Sequence, residues 1–303
     1  MSNQSLSQNP SEHLYRNSAK KRMLKEACQP LLVAGMHRSG TSLTASMLQA
    51  AGVDIGKHLI GPGNGNRMGH FEDVEVCSLH CDILEAQGIH KDGWAVPRQV
   101  DVAPRFKDRA RRLYQLKERC QQKKALTCNK PSVWGWKDPR TALFLNFWYR
   151  QIPDAKFVFV YRKPWEVVQS LTERGDIAIA QNPQLAITAW LVYNSAIFSF
   201  YQQNAARCFL FSVDSFRDSE KFVLTRLCKK LHLSLHLSCP AVYQPSQLHS
   251  LTRHFSIQTA QQALQDHLPC ALTLYRALEA AADLPSYCQP SELATQPSNR
   301  TRA

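Results

Sequence analysis

Short apolar runs alternate along the chain with longer segments in which apolar residues recur at helical spacing. The runs lie at residues 31–34, 156–161 and 208–213. Near-continuous apolar runs of this length are typical of strands buried on both faces of a parallel sheet. Helical patterns lie at residues 72–87, 105–124, 164–174, 183–203, 216–231 and 257–282. The alternation predicts an α/β fold with a mostly parallel central sheet and helices on both of its faces.

Polar composition predicts the limits of a single α/β domain at residues 28–284. Residues 1–27 are expected to form a disordered lead and residues 285–303 a polar tail. Residues 56–70 contain five glycines and one proline, which predicts a long loop of the kind that serves as a lid or substrate gate. From Trp134 onward the pattern predicts a turn that leads into a helix, with Asp138 as its cap.

The composition of the 303 residues, 44% hydrophobic and 20% charged, is that of an ordinary globular protein. We expect no membrane span, because no apolar run approaches the roughly 20 residues required. The N-terminus has no apolar signal region, so we expect a cytoplasmic location. Cys77, His80 and Cys81 are close in sequence, but no further ligand lies at a matching spacing. The ten cysteines are therefore expected to be free thiols, and no metal site is predicted.

The charge balance favours anionic partners. Lys and Arg number 37 against 24 Asp and Glu, a formal net charge of +13. Residues 105–124 alone carry nine basic and two acidic residues. The simplest interpretation is a surface helix with a solvated basic face, whose inner face would comprise Phe106, Ala110, Leu113, Leu116 and Cys120. A contact surface for an acidic substrate and a nucleic-acid contact remain alternatives.

Residues 31–49 have the pattern of a phosphate-binding cradle. The first strand is followed by Gly35, four residues and Gly40, and then by a helix beginning at Thr41 and Ser42. Glycines let the backbone approach an anion, and the amides at the helix start then point at its oxygens. Thr41 stands where nucleotide hydrolases have a lysine, so the positive charge is expected from Arg38, beside His37.

A further pair of residues suits anion chemistry. Arg162 follows a predicted strand, and Ser170 lies eight positions later. Such a pair can grip one phosphate through a bidentate guanidinium and a hydroxyl. The carboxyl ends of parallel strands meet at one edge of a sheet, so we expect this pair and the cradle to line one crevice.

The segment HRSGTS resembles the 5′-phosphosulfate loop of sulfotransferases that use 3′-phosphoadenosine-5′-phosphosulfate (PAPS). In that family a Lys or Arg precedes Ser-Gly-Thr, and here that position is Arg38. Arg162 with Ser170 resembles the family's 3′-phosphate element. The resemblance implies a P-loop-like sulfotransferase fold, with PAPS as cofactor and 3′,5′-adenosine diphosphate as product. The implied cofactor-binding residues are His37, Arg38, Ser39, Gly40, Thr41, Ser42, Arg162 and Ser170.

Lys137-Asp138-Pro139 resembles a segment of the carbohydrate and tyrosylprotein branches of this family. There the lysine approaches the transferring sulfuryl group, which implies the same role for Lys137; Arg140 is a further candidate for cofactor or substrate contacts. Glu72 matches best the position of a catalytic carboxylate in these branches and would take a proton from the acceptor. His70 is the rival base, because other branches use histidine.

The resemblance implies in-line sulfuryl transfer without a metal, in which Arg38, Lys137 and the cradle amides stabilise developing charge. We expect a small-molecule or glycan acceptor, anionic ones included, and no specific nucleic acid. Two alternatives stay open: a P-loop nucleotide or small-molecule kinase, and a basic polyanion-binding protein without catalysis.

Overall fold

The computed structural model describes residues 28–63, 66, 69–96, 100–128, 132–217, 219–237 and 267–286. Within these ranges, four parallel strands form one sheet in the order β2-β1-β3-β4. The strands are β1 (Cys28–Ala34), β2 (Ser132–Lys137), β3 (Lys156–Tyr161) and β4 (Cys208–Ser212). The predicted α/β fold with a parallel sheet is therefore confirmed. The predicted lead, residues 287–303 of the predicted tail and residues 257–266 of the last predicted helix lie outside the described residues.

The helices alternate with the strands as the pattern predicted. They are α1 (Thr41–Ala50), α2 (Val74–Glu85), α3 (Pro104–Cys128), α4 (Leu145–Gln151), α5 (Pro164–Arg174), α6 (Ile177–Gln181), α7 (Gln184–Asn204), α8 (Glu220–Leu231) and α9 (Leu268–Ala281). Short 3₁₀ turns lie at Pro139–Phe144, Ala205–Arg207 and Val213–Arg217. Among the described helices, none combines the length and the apolar character needed to span a bilayer.

Alternate residues of each strand enter two separate apolar layers. In β3, Phe157 and Phe159 pack in the layer that contains α5 and α7, whereas Val158 and Val160 pack in the layer that contains α1 and α8. This alternation follows from the two-residue period of a strand. Burial on both faces is what a near-continuous apolar run requires, and it holds the strand ends in fixed positions.

Residues 132–137 form a strand, which corrects the prediction of a turn beginning at Trp134. β2 pairs with β1 in register, with Gly135 opposite Leu31. A Cβ at Gly135 would lie 1.8 Å from the carbonyl oxygen of Leu31, so glycine is required by the close approach of the two strands. Trp134 and Trp136 are buried in different apolar clusters. Glycine is uncommon in strands, and this made a strand look like a turn.

The helix predicted at residues 72–87 begins later, at Val74, because Asp73 caps it by accepting from the N–H of Val76 at 3.1 Å. Glu72 therefore lies before the helix, in an isolated bridge with Lys137. This bridge places the candidate base beside the end of β2.

The inner face of the basic helix also differs from the prediction. Leu116 is 61% exposed and Cys120 is exposed. Lys117 and Gln121 face inward instead, donating to Asp73 at 2.7 Å and to Asp54 at 2.8 Å. These polar contacts, rather than the apolar spacing, orient the second half of α3.

Candidate active site

The loop between β1 and α1 has the shape of an anion cradle. A Cβ at Gly35 would lie 2.4 Å from the carbonyl oxygen of Val160, and one at Gly40 would lie 2.4 Å from Cγ2 of Val213. Gly40, the N-cap residue directly before α1, has φ +92°. Arg38 also lies in the left-handed region, with φ 66°. Such backbone conformations in a non-glycine residue concentrate at ligand-binding sites.

The cradle meets the second predicted phosphate element. Nε of Arg38 donates to Oγ of Ser170 at 2.8 Å. Arg162 donates through its Nη1 to the carbonyl oxygen of Arg38 at 3.3 Å and through its Nε to Glu166 at 2.7 Å. Arg38 follows β1, whereas Arg162 follows β3 and Ser170 lies on α5. The structure brings all three together in one crevice.

A third arginine, Arg174, belongs to this group and was missed from the sequence. Burial and the positive charges of Arg174 and Arg162 lower the pKa of Arg38 to about 10. Arg174 follows Ser170 by four residues on α5, so the two share a helix face. That spacing could have identified it. A bound anion would offset the repulsion within this group.

The other predicted cradle residues lie around the same loop. Ser39 and Thr41 are buried. Oγ of Ser39 and Nε2 of His37 are buried and have no hydrogen-bond partner among the described residues. Burial and the charges of Arg140 and Arg174 hold the pKa of His37 well below its ordinary value. His37 is therefore a neutral donor or acceptor at the base of the cradle.

Ser42 connects the cradle to the candidate catalytic residues. Its hydroxyl donates to the carbonyl oxygen of His70 at 3.1 Å and accepts from Lys137 at 3.2 Å and from Asn66 at 2.9 Å. Lys137 donates in addition to the His70 carbonyl at 2.8 Å and to Glu72 at 3.0 Å. The structure thus brings Ser42, Lys137, Glu72 and the backbone of His70 together at the first turn of α1.

Glu72 is held by two cations, one on each carboxylate oxygen. Lys137 contacts Oε1 at 3.0 Å, and Arg140 contacts Oε2 at 2.8 Å. All three residues are buried. Arg140, expected from the sequence to be a further contact for cofactor or substrate, points instead into the protein, where it also pairs with Asp138 at 2.9 Å.

The side chain of His70 is half-buried beside the same group. Burial lowers its pKa, and the charge of Lys137 adds to this effect while that of Glu72 opposes it. His70 is therefore neutral at pH 7. Both candidate bases lie next to Lys137, so the geometry is compatible with either residue as the base.

Metal binding finds no support among the described residues. No group of three or more His, Cys, Asp or Glu side chains in this part of the chain could hold an ion. The eight cysteines that the described ranges contain are free thiols.

Comparison with known proteins gives one family. A family model described as the sulfotransferase family matches residues 30–236, about two thirds of the 303-residue chain. No curated protein matches the chain significantly.

Solved structures that the chain matches include three bacterial sulfotransferases or sulfotransferase domains. STF9 from Mycobacterium avium is 16% identical, with 85% of this chain and 80% of that chain covered and a TM-score of 0.42. The sulfotransferase domain of the Synechococcus PCC 7002 olefin synthase is 16% identical, with 87% and 96% covered and a TM-score of 0.43. A sulfotransferase from Alicyclobacillus acidocaldarius is 13% identical, with 83% and 94% covered and a TM-score of 0.40.

Proposed function

The chain belongs to the sulfotransferase family, and we propose that it transfers a sulfuryl group from PAPS to a hydroxyl or amine acceptor. The observation that carries the proposal is the joining of two anion-binding elements. Arg38 of the cradle donates to Ser170 of α5, and Arg162 donates to the backbone of Arg38. Two adjoining anion-binding elements suit a nucleotide that carries two separate phosphate groups.

The residues of this crevice fit the cofactor. The pKa of Arg38 is lowered to about 10 by burial and by neighbouring positive charge, so an anion there is favoured. Buried Oγ of Ser39, which has no partner among the described residues, offers a further donor. The cradle from His37 to Ser42 would hold the 5′-phosphosulfate, and Arg162 with Ser170 would hold the 3′-phosphate. The bound cofactor supplies the activated sulfuryl group.

Lys137 is placed to act on the transferring group. Its ammonium makes three hydrogen bonds, of which that to Ser42, at 3.2 Å, is the longest. When an anion occupies the cradle, Lys137 would donate to that anion in place of Ser42. Lys137 would then face the negative charge that develops on the leaving oxygen. Arg38 and the amides at the start of α1 would help to stabilise that charge. Electrostatic stabilisation of this kind is usually the largest single contribution to the rate enhancement of an enzyme.

Glu72 is the base in this proposal, with His70 orienting the acceptor. Lys137 contacts both Ser42 and Glu72. If the ammonium of Lys137 moves toward an anion in the cradle, its ion pair with Glu72 weakens. The carboxylate of Glu72 can then accept a proton from the acceptor when the cofactor is bound. Arg140, pinned from behind, keeps the second oxygen of Glu72 in position.

For the acceptor we propose a small molecule or glycan, anionic ones included. Four basic residues share the outer, exposed face of α3: Arg105, Arg112, Arg119 and Lys123. They recur at spacings of seven and four residues, which align on one side of a helix. Lys117, on the opposite face of the same helix, pairs with Asp73, next to Glu72, so α3 packs beside the candidate site with this basic face turned to solvent.

Calorimetric titration with 3′,5′-adenosine diphosphate tests the cofactor. Arg162→Ala should weaken this binding by about 2–3 kcal/mol, the scale of a lost charge-assisted contact. Binding of 5′-AMP, which lacks the 3′-phosphate, should hardly change. The matched control is Arg226→Ala, because Arg226 is exposed on α8.

Three outcomes would count against the proposal. Equal losses of affinity for both nucleotides would show that Arg162 does not bind the 3′-phosphate. Preferential binding of ATP with magnesium would indicate a kinase. Salt-sensitive binding of polyanions without nucleotide affinity would indicate a polyanion-binding protein. With binding established, labelled PAPS and a panel of sugars, phenols and small alcohols would identify the acceptor.

A further inference from the structure

A chain of buried polar contacts continues behind Glu72, away from the cradle. Asp138 accepts from Nε and from the backbone N–H of Arg140, both at 2.9 Å. Asp138 is fully buried. Burial alone raises its pKa, but the charge of Arg140 and the hydrogen bond from His80 outweigh this, so its pKa lies well below the ordinary value. Asp138 is therefore a permanent anion that holds Arg140 from the side opposite Glu72.

The next contact assigns the proton of His80. Nδ1 of His80 lies 3.0 Å from Oδ2 of Asp138, and Nε1 of Trp148 lies 2.8 Å from Nε2 of His80. An indole N–H can only donate, so Nε2 of His80 must accept. The imidazole is then neutral with its proton on Nδ1, and it donates that proton to Asp138.

The imidazole has little freedom to change this arrangement. His80 and Trp148 are fully buried, and the His80 ring stacks on Phe144 at 4.7 Å between centroids, with 14° between planes. The ring is therefore fixed in orientation by packing and in tautomer by Asp138 and Trp148 together.

The charges in this series of buried contacts alternate in sign and balance. Lys137 and Arg140 are cations, and Glu72 and Asp138 are anions. Burial disfavours the charge on Arg140, but Asp138 and Glu72 outweigh this and raise its pKa well above the ordinary value. A buried network of this kind is stable only while each member keeps its partner.

We propose that His80 is a positioning residue for the candidate base: through Asp138 and Arg140 it holds the carboxylate of Glu72 in its working orientation. The proposal rests on the proposed function, because the orientation of Glu72 matters only if Glu72 acts on an acceptor. Catalytic groups have to be held within about 0.5 Å of the productive geometry. Packing alone would be served as well by an apolar side chain, whereas this sequence places a directional donor at residue 80.

Two substitutions at residue 80 separate positioning from packing. His80→Asn keeps a donor near the place of Nδ1, and His80→Leu fills a similar volume without one. His80→Leu should lower kcat by about 10–100-fold, the usual effect of removing a residue that orients a functional group. KM for the acceptor and affinity for 3′,5′-adenosine diphosphate should stay near the wild-type values, and His80→Asn should recover most of kcat. Equal loss of kcat in both variants, or a parallel loss of nucleotide affinity, would overturn the proposal.

Measurements that need no activity keep the two proposals distinguishable. Nitrogen-15 NMR of the wild-type protein should show His80 as the Nδ1–H tautomer, and the Nε2–H tautomer would overturn the assignment. The carbon-13 shift of the Glu72 carboxyl should move in His80→Leu and stay in His80→Asn; an unmoved shift in His80→Leu would overturn positioning. If these shifts behave as expected and the wild-type protein transfers no sulfuryl group, only the proposed function fails.

A milder variant covers the case in which His80→Leu does not fold. Trp148→Phe removes the donor to Nε2 and keeps an aromatic ring in the core. Asp138 can only accept, so it should keep the His80 proton on Nδ1, and we expect a loss of kcat smaller than that of His80→Leu. An Nε2–H tautomer in Trp148→Phe, or a loss of kcat as large as that of His80→Leu, would overturn the proposal.

Discussion

Partly buried Arg38 and buried Arg140 differ in the direction of their pKa shifts. Burial disfavours the charge of both. For Arg38, nearby Arg174 and Arg162 add to this effect and lower the pKa to about 10. For Arg140, nearby Asp138 and Glu72 outweigh burial and raise the pKa. Arg38 is thus in surroundings that an anion would improve, whereas Arg140 is in surroundings that already contain two.

The difference separates ligand binding from preorganisation. The Arg38 region is a binding surface whose electrostatics favour a nucleotide phosphate or sulfate. The Arg140 region is self-complementary and holds the candidate base before any ligand arrives. Substitutions around Arg38 should therefore change affinity, and at Arg38 itself turnover as well, whereas substitutions around Arg140 should change turnover and stability.

The largest effect on turnover is expected at Glu72, which the Arg140 region orients. Glu72→Gln keeps the shape of the side chain and removes its basicity, so turnover should fall roughly 10²–10⁴-fold, the usual scale for a general base. Affinity for 3′,5′-adenosine diphosphate should be unchanged in calorimetry. His70→Ala is the comparison. If Glu72→Gln kept most activity and His70→Ala abolished it, the two roles would be reversed.

Arg140→Met and Arg38→Met test the comparison directly. Removing Arg140 leaves Glu72 and Asp138 without their shared cation, so the free energy of unfolding should fall by about 3–5 kcal/mol. Removing Arg38 relieves repulsion from Arg162 and Arg174, and the change should be under about 1 kcal/mol. Urea denaturation gives both values. Similar destabilisation by the two substitutions would contradict the division into two regions.

Lys137 lies between the two regions, and its replacement should affect turnover more than binding. Lys137→Met removes a cation that pairs with Glu72 and would also face the leaving-group charge that develops in the transition state, so kcat should fall about 10²–10³-fold. Affinity for the spent cofactor should change little. Wild-type turnover at saturating cofactor would remove Lys137 from the catalytic residues.

Acid stability offers a smaller effect within the Arg140 region. The folded-state pKa of Asp138 lies below its unfolded value, which is near 4. Its contribution to stability is therefore fully present above about pH 4 and is lost as the pH falls through the folded-state value. The free energy of unfolding of the wild type should exceed that of Asp138→Asn by about 2–3 kcal/mol at pH 7. This difference should become smaller only below about pH 4. A gap that closes between pH 7 and pH 5 would contradict a permanent anion at Asp138.

Local pattern was enough for the sheet and the cradle, because both depend on short-range features. β3 and α5 have the predicted bounds, since an apolar run and a proline at the first helical position determine them. β2 was missed because its pairing with β1 depends on a glycine that only the partner strand explains.

The network behind Glu72 could not have been predicted from the sequence. His80 and Asp138 are 58 residues apart, and Trp148 is 68 residues from His80. No periodicity joins such positions, so His80 was considered only with its neighbouring cysteines. By contrast, Arg174 lies one helical turn after Ser170, and the same reasoning that selected Ser170 could have selected it.

Arg174 should make the smallest contribution to nucleotide binding, and its size tests how far the Arg38 region extends. Its charge reaches Arg38, but its Nε also donates to Asp176 at 2.8 Å, which offsets part of that charge. Arg174→Ala should therefore weaken the binding of 3′,5′-adenosine diphosphate by only about 1 kcal/mol, near the lower limit for a charged contact. The loss should shrink with added salt, because partly exposed charges are screened. Arg226→Ala changes the net charge equally on exposed α8 and should leave affinity unchanged. An equal loss in Arg226→Ala would mean that overall charge acts on the nucleotide and that the binding region ends before Arg174.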